Sequence, residues 1–432
     1  MTVIDTIRPK HREAILQSLR AGVVPRIGHQ HIQVGRANEV TALLRDLVSI
    51  ADGGAVVRFI IGPYGSGKTF FLFLVRAMAL DKNLVAVQAD LNPDRRLHAS
   101  GGQARSLYNE LLRNIATRSK PDGGALPSIV EKFVSTALSD ARTRGVEVEV
   151  VIRERLVSLS ELVGGYDFAE VIAAYWRGHD TANEELKTAA LRWLRGEFAT
   201  RTDARAALGV RSIVDDNNVY DQLKLLSRFV RIAGYGGLLV CLDEMVNIYK
   251  LASAQARNSN YEQILRIVND TLQGSSAGLG FLFGGTPEFL FDTRRGVYSY
   301  TALQSRLSEN RFATDSLVDY SGPVLRLSNL TKEDLYVLLR NVRNVYASGN
   351  PAAYLVPDEG LEAFMLHCSE KIGDAYFQTP RNTIREFVGL LAVLEQNPDT
   401  SWREILGSVD IASDRDGDLK MDDEDELTSF RI

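Results

Sequence analysis

A short stretch in the first fifth of the chain has the spacing of a phosphate-binding loop. Residues 62–69, GPYGSGKT, follow the pattern G-x-x-x-x-G-K-[ST]. An apolar run precedes the loop, and a helix-like run over residues 70–80 follows it. This strand, loop and helix context is the one that the motif requires, so we predict a nucleotide site here.

The residue types in this loop have separate physical roles. Glycine allows positive φ angles, which let successive backbone N–H groups converge on phosphates at a helix N-terminus. Lys68 is expected to reach the β- and γ-phosphates, and Thr69 to offer its hydroxyl to Mg²⁺. The loop residues predicted to contact the nucleotide are Gly62, Pro63, Tyr64, Gly65, Ser66, Gly67, Lys68, Thr69 and Phe70.

A second stretch, GGLLVCLDEM, supplies two acids at the end of an apolar run. Buried carboxylates are costly unless they meet a cation, so Asp243 is predicted to hold Mg²⁺ through its water shell. Glu244 is predicted to orient and deprotonate the attacking water. A general base directly after the magnesium-binding acid favours ATP hydrolysis over a small-molecule kinase, whose base sits with its acceptor.

The stretch TKED at residues 331–334 imitates a guanine-reading motif. It stands at the start of a predicted helix, with Thr331 as the N-cap and acids in the first turn. Because no D-x-x-G follows the magnesium strand, the capping interpretation is preferred, and ATP is the predicted nucleotide.

Three further side chains are candidates for the catalytic set. Thr286 follows an apolar run and is expected beside the acid pair, within reach of the γ-phosphate or the water. Arg306, in ALQSRL, and Arg381, in TPRNTIREF, are candidates to stabilise charge on the transferred phosphoryl group. Arg306 is expected on the subunit-facing edge, as an arginine finger. The arginines that compete with it for this role are Arg294, Arg295 and Arg311.

Five apolar runs are typical of buried parallel strands. They cover residues 56–61, 84–89, 238–242, 279–283 and 323–327. Each run is separated from the previous one by enough residues for a helical crossover, which predicts an α/β fold of the P-loop NTPase class with a doubly wound parallel sheet.

The rest of the chain is predicted to be mainly helical. Residues 93–218 place apolar side chains at helical spacing and are read as one large insertion, whose Tyr175, Trp176 and Trp193 are interpreted as packing residues. The predicted boundaries are an N-terminal helical segment over 1–33, a core over 34–327, a helical lid over 328–409 and an acidic tail over 410–432.

The amino-acid composition restricts the class of protein to which this chain can belong. With 45% apolar and 24% charged residues among 432, the chain is globular in composition. Cys241 and Cys368 are too few for a disulfide framework and are expected to be buried thiols. No signal-peptide pattern and no uncharged apolar stretch of membrane-spanning length is found, which predicts a cytoplasmic protein without a membrane partner.

Charge gives little support for strong nucleic-acid binding. The net charge is −5, and residues 410–426 hold nine acids and two bases. The body of the chain is therefore close to neutral, and the tail is interpreted as disordered or as an acidic docking segment.

Taken in order, the stretches VGRANEV, GPYGSGKT, LLVCLDE, GGTPE, ALQSRL, LSNLTKEDL and TPRNTIREF resemble an AAA+ ATPase. More specific phrases, among them LRWLRGE, NYEQILRIVNDTLQG and RRGVYSYTALQSRL, resemble the BrxC/BrxD family of BREX phage-resistance ATP-binding proteins. The chain length favours the BrxD type. This resemblance extends from about residue 12 to residue 394.

The resemblance implies roles beyond those read from the residues alone. Gly35 and Arg36 match the segment that lies near adenine in AAA+ proteins, and Lys68, Thr69, Asp243 and Glu244 carry over directly. The family implies a prokaryotic ATPase that works with other defence-system proteins to restrict phage DNA. Because no winged-helix stretch is found after the lid, either the ATPase body and its insertion contact DNA, or a partner protein does.

Three functions are weighed from these observations. The first is an oligomeric AAA+ ATPase that couples hydrolysis to remodelling or loading of partners on DNA. The second is a slow nucleotide-dependent switch or scaffold that controls assembly of a defence complex. A helicase in its own right is disfavoured, because no second set of helicase motifs and no strongly basic channel-like stretch is found.

Overall fold

The computed structural model describes residues 7–274, 276–312, 318–372 and 380–408. The described residues divide into two compact units: those within 36–328 form one, and those within 1–35 and 329–432 form the other. The N-terminal segment, predicted as a region of its own, thus groups with the C-terminal helices. The predicted acidic tail over 410–432 lies outside the described residues.

The larger unit contains a five-stranded sheet. Its strands are β1 (Ala55–Ile61), β2 (Val85–Asp90), β3 (Leu238–Asp243), β4 (Leu279–Gly285) and β5 (Val324–Arg326). All pairings are parallel, and the strand order is β2-β3-β4-β1-β5. The five strands predicted from apolar runs are confirmed. The last strand is shorter than predicted.

The helices account for most of the remaining chain. They are α1 (Pro9–Arg20), α2 (Ala37–Ala51), α3 (Lys68–Asp81), α4 (Gln103–Arg113), α5 (Leu126–Arg144), α6 (Val148–Leu156), α7 (Gly165–Asp180), α8 (Glu184–Leu194), α9 (Arg201–Leu208), α10 (Val219–Ile232), α11 (Val246–Tyr249), α12 (Ala254–Leu272), α13 (Pro287–Phe291), α14 (Thr301–Leu307), α15 (Lys332–Tyr346), α16 (Asp358–Ile372), α17 (Pro380–Gln396) and α18 (Trp402–Ser408). None of the helices in the described ranges combines the length and apolar character needed to cross a lipid bilayer.

The apolar runs form strands because the sheet is covered on both faces. Side chains alternate along a strand, so neighbouring residues enter different cores. Phe59 and Ile61 belong to the core shared with the insertion helices, whereas Ile60 belongs to the core under α2 and α3. All three side chains are buried. This double burial explains why the strands are continuously apolar rather than alternating.

The stretch predicted as an insertion is mainly helical and contains α4 to α9, and its status as one insertion into the core stays a prediction. Tyr175, Trp176 and Trp193 are buried, which confirms their packing role. Trp193 donates its indole N–H to the Ser212 carbonyl at 2.8 Å. At the start of this region, Ala116 forms an antiparallel bridge with Ala86 of β2, so the chain covers part of that edge strand.

The smaller unit is helical in its described part. The predicted N-cap at Thr331 is confirmed as a capping box: its hydroxyl accepts from the Asp334 amide, and the Asp334 carboxylate accepts from the Thr331 amide, both at 3.1 Å. Arg12 of α1 donates to the Tyr346 carbonyl at 2.8 Å and stacks over the ring of the same residue. The TKED stretch therefore caps the N-terminus of α15.

Candidate nucleotide site

The loop between β1 and α3 takes a conformation that depends on glycine. Gly65 and Gly67 have φ angles of 81° and 83°, which other residues rarely adopt. A Cβ atom at Gly62 would lie 2.4 Å from the Ser66 hydroxyl oxygen and 2.6 Å from the Leu327 carbonyl oxygen. Two of these positions thus need glycine for its backbone freedom, and the third for lack of space.

Lys68 and Ser66 present hydrogen-bond donors inside the loop. The Lys68 ammonium donates to the carbonyls of Gly62 and Pro63, both at 2.9 Å. Burial lowers the pKa of Lys68, although the carboxylates around it favour its charged form. The Ser66 hydroxyl is buried and has no hydrogen-bond partner among the described residues. A buried hydroxyl and an ammonium group in the same loop are suitable hydrogen-bond donors for the phosphates of a nucleotide.

The exposed tip and the flanks of the loop carry the remaining predicted contacts. Tyr64 is 72% exposed, and Pro63 beside it is also exposed. Phe70 lies in the first turn of α3. These positions are consistent with contact to a bound nucleotide, and their roles stay predictions.

The acid pair lies at the end of β3, next to the loop. Asp243 is 2% exposed and accepts the Thr69 hydroxyl at 2.6 Å and the Glu244 amide at 2.9 Å. A Cβ atom at Gly284 of β4 would lie 2.4 Å from the Asp243 carboxylate, so this glycine leaves the carboxylate its space. A hydroxyl and a carboxylate at this separation are hard oxygen donors that suit Mg²⁺.

Burial is the main influence on the protonation of Asp243. It raises the pKa of this carboxyl, against the opposing effects of the Thr69 hydroxyl, the Glu244 amide and the Lys68 ammonium. A carboxylate with a raised pKa is costly when it is charged without a cation. This cost is the electrostatic reason for expecting a cation here.

Glu244 is exposed and stands in a left-handed backbone conformation, with φ of 57°. Partial desolvation is the largest cause that raises its pKa, and the carboxylates of Asp243 and Asp90 raise it further. A non-glycine residue held at positive φ is strained, and such strain is concentrated at functional sites. The conformation turns the Glu244 side chain out of the buried strand.

Asp90 is a residue of this site that sequence reasoning missed. It ends β2, and its Cα pairs in register with that of Asp243 on β3. The amide of the next residue, Leu91, donates to the Asp243 carbonyl at 3.0 Å. The available signal was that VAVQAD, like LLVCLD, is an apolar run that ends in an acid.

Thr286 follows β4, the strand that lies between β1 and β3. The Gly62 amide donates to the Gly285 carbonyl at 3.2 Å, and the Met245 amide donates to the Gly284 carbonyl at 3.0 Å. Thr286 therefore follows a strand end that is bonded to both the loop and the acid pair. Its hydroxyl accepts from the Phe289 amide at 3.4 Å and caps α13.

Arg36 contacts the loop from outside it. Its guanidinium donates to the carbonyl oxygens of Ser66 and Ser328, each at 2.7 Å. Arg36 has a φ of 60°, and the preceding Gly35 has a φ of 62°. In this structure Arg36 thus holds the loop backbone, while its predicted position near adenine stays a prediction.

The candidate arginine fingers differ in their partners. Arg306 on α14 is exposed and donates to the Asn269 side-chain oxygen at 2.6 Å and to the Ala302 carbonyl at 2.8 Å. Arg295 donates to three carbonyls at the end of α11 and just after it, so its guanidinium is engaged within the chain. Arg294 and Arg311 are exposed, and neither side chain forms a hydrogen bond or an ion pair with a described residue.

Arg381 lies in the other unit. It is exposed in the first turn of α17, and a Cβ atom at Gly22 would lie 2.8 Å from its Nε atom. The structure thus brings together Lys68, Thr69 and Asp243, with Thr286 directly after the end of the neighbouring strand β4. Catalytic roles for Arg306 and Arg381 stay predictions.

Replacing Asp243 by Asn should raise the melting temperature of the ligand-free protein. The change removes a desolvated carboxylate but keeps an oxygen that accepts the hydrogen bond from the Glu244 amide. Each kcal/mol gained in the free energy of unfolding corresponds to a rise of roughly 2 to 4 °C in the melting temperature. Burial raises the pKa of Asp243, so the folded state keeps this proton to a higher pH than the unfolded state does. The free energy of unfolding of the wild type should therefore fall as the pH rises through the raised pKa. The gain should therefore begin above about pH 4, grow as the pH rises toward the raised pKa of Asp243, and stay constant above it. Thermal unfolding over pH checks this.

The matched control for this measurement is Asp46→Asn. Asp46 accepts two hydrogen bonds from Arg58, at 2.6 and 2.9 Å, so its neutral variant should unfold at a lower temperature. Equal destabilisation by both substitutions would contradict the view that the Asp243 carboxylate is costly.

Similarity of this chain to known proteins is found at the level of the family. No curated protein matches the chain. A model of one family, described as BREX system ATP-binding protein BrxC/D, matches residues 7–410. That range contains both units as far as they are described, including the loop at residues 62–69 and the acid pair at the end of β3. The predicted resemblance is confirmed, and the chain belongs to the BrxC/D family of BREX system ATP-binding proteins.

Proposed function

We propose that this family member hydrolyses ATP with Mg²⁺. The observation that carries the proposal is the 2.6 Å hydrogen bond between Thr69 of the loop and Asp243 of the acid pair, which joins the two halves of a hydrolytic site. Mg²⁺, held by Thr69 and, through water, by Asp243, would supply charge neutralisation for the phosphates. Lys68 would bind the phosphates, and Glu244 would orient the attacking water and accept its proton.

The organisation proposed for the chain is that of an AAA+ ATPase. The position of β4 between β1 and β3 supports a role for Thr286 at the γ-phosphate or the water. The helices over 328–409 are proposed to act as a lid that carries Arg381. The exposure of Arg306 supports a role as a finger that reaches the site of a second copy.

The proposed biological role is to couple hydrolysis to remodelling or loading of partners on DNA within a BREX-like defence system. The proposed partners are further copies of the same chain, which would form a homo-oligomer, and other defence proteins. DNA would be contacted directly or through one of these proteins. Cys241 and Cys368 are buried and are not joined in a disulfide, which supports a reducing, cytoplasmic location.

A second candidate is a slow nucleotide-dependent switch. The observation that favours it is that Lys68 donates to the Gly62 and Pro63 carbonyls. Both bonds must be exchanged before the ammonium can hold a phosphate, so the loop has a resting arrangement of its own. A switch of this kind would change assembly on binding ATP while hydrolysing it slowly.

ATP turnover and mass in solution, each with and without DNA, separate these functions. The proposed ATPase should hydrolyse ATP faster with DNA and should form oligomers with ATP. The switch should change mass with ATP but hydrolyse slowly under both conditions. If the protein neither assembles with ATP nor hydrolyses ATP faster when DNA is added, the proposal of an autonomous remodelling ATPase is wrong.

A further inference from the structure

The helical insertion contains a cavity of about 290 Å³ that is remote in sequence from the loop and the acid pair. The cavity is bordered by the C-terminal end of α4, the N-terminal end of α5 and the segment that follows α8. Arg113, Arg195 and Glu197 border it, together with Gly124 and Leu126. With two arginines and one glutamate, the charged residues that border the cavity carry an excess of positive charge.

The two arginines are available to a ligand. Arg113 is exposed, and its side chain has no hydrogen bond or ion pair with any described residue. Arg195 is 30% exposed, and its ion pair with Glu197 is long, at 3.8 Å. Partly exposed pairs of this kind contribute little to stability, so an incoming anion can compete for Arg195. The guanidinium fork matches the oxygens of a phosphate.

The surroundings add to the positive potential. The loop that connects α4 to α5 carries the exposed Arg118, Lys120 and Asp122, a net charge of one positive unit. The ion pair of Arg118 with Asp81 is 3.9 Å long between two exposed side chains. The first turn of α5 borders the cavity and has no side-chain cap. Its helix dipole assists an anion held by the arginines.

A purely structural explanation for the arginines also exists. Arg113 is the last residue of α4, and Arg195 follows the last residue of α8, where a positive side chain complements a helix C-terminus. This explanation accounts for each residue separately. It does not account for the presence of both arginines at one cavity, and it predicts no change in anion binding when they are replaced.

We propose that this cavity binds a phosphate group through Arg113 and Arg195. The group comes from one of two sources, a nucleic-acid backbone or a free phosphate anion. The proposal goes beyond the ATPase activity, because the cavity is built from insertion residues that have no part in the hydrolytic set.

The test compares Arg113→Gln/Arg195→Gln with Arg142→Gln/Arg205→Gln, both in a Lys68→Ala background that weakens phosphate binding at the loop. The control arginines are exposed on α5 and α9, with no side-chain partner among described residues. One arm measures binding of a short DNA duplex over a salt series, and the other measures inorganic phosphate by thermal shift. Neither arm requires hydrolysis, so failure here is distinct from failure of the proposed function.

We expect the cavity variant to bind phosphate about 10-fold more weakly than the control. If the phosphate belongs to a nucleic acid, DNA affinity should also be about 10-fold weaker than in the control. The slope of log affinity against log salt concentration should then become less steep by about 2. Unchanged DNA binding with weaker phosphate binding would support the site and assign it to a free anion. Glu197→Gln should tighten binding in whichever arm responds, because it removes the competing carboxylate. Equal phosphate and DNA binding in the cavity variant and the control would overturn the proposal.

Discussion

Glu244→Gln should lower ATP turnover by about 10² to 10⁴, while ATP binding stays within a few-fold of wild type. The amide keeps the size of the side chain but cannot accept a proton from the attacking water. Lys68, Thr69 and Asp243, which are proposed to hold the phosphates and Mg²⁺, are unchanged. Single-turnover hydrolysis and equilibrium ATP binding, measured on the same preparation, check the two halves of this result.

The backbone at Glu244 makes this variant a clean test. Gln and Glu tolerate the left-handed conformation about equally, so the φ of 57° adds no new strain. Glu262→Gln on α12 is a matched control, because Glu262 is exposed and has no partner in the described part of the chain. With ATP, the Glu244→Gln protein should accumulate as an oligomer. Turnover equal to that of the Glu262 variant would exclude Glu244 as the general base.

Much of the sheet was predictable from the sequence because both of its faces are covered. A strand with two covered faces must be apolar at every position, and such runs stand out between helical segments. The loop was predictable for a different reason. Gly62, Gly65 and Gly67 meet local steric and backbone demands that no other residue type satisfies, so the spacing itself carries the information.

Contacts between distant segments could not be predicted in the same way. Asp90 joins the site only because β2 pairs with β3 in a register that places it beside Asp243. The sequence shows each strand but not its neighbours. The bond from Arg36 to the Ser328 carbonyl spans 292 positions and depends on the strand order that brings residue 328 next to the loop.

The insertion shows the same limit at larger scale. Amphipathic spacing predicted its helices, because one apolar stripe on each helix must be buried. The ends of these helices follow no such rule, since their positions depend on how all the helices pack. The meeting of Arg113 and Arg195 at one cavity could therefore be seen only in the structure.

Arg306→Ala should lower turnover by about 10³ to 10⁵ in the assembled protein if Arg306 is the arginine finger. Its two hydrogen bonds, to Asn269 and to the Ala302 carbonyl, hold the guanidinium in an exposed position on α14. In that position it can meet another copy without refolding of its own unit. ATP binding by a single chain should be unchanged, because no residue proposed to hold the phosphates is altered. Turnover above the assembly concentration, with ATP binding measured below it, checks both statements.

Mixing two inactive variants tests whether the finger acts between copies. In a mixed oligomer of Arg306→Ala and Glu244→Gln chains, some interfaces combine an intact Glu244 from one copy with an intact Arg306 from the next. Turnover should then rise well above that of either variant alone. A finger that acts within its own chain cannot be rescued in this way, because no single chain holds both residues. Failure to rescue, in mixtures shown to form joint oligomers, would exclude Arg306 as a finger acting between copies. It would direct the same experiment to Arg294 and Arg311, the competing arginines whose exposed side chains form no hydrogen bond or ion pair with a described residue.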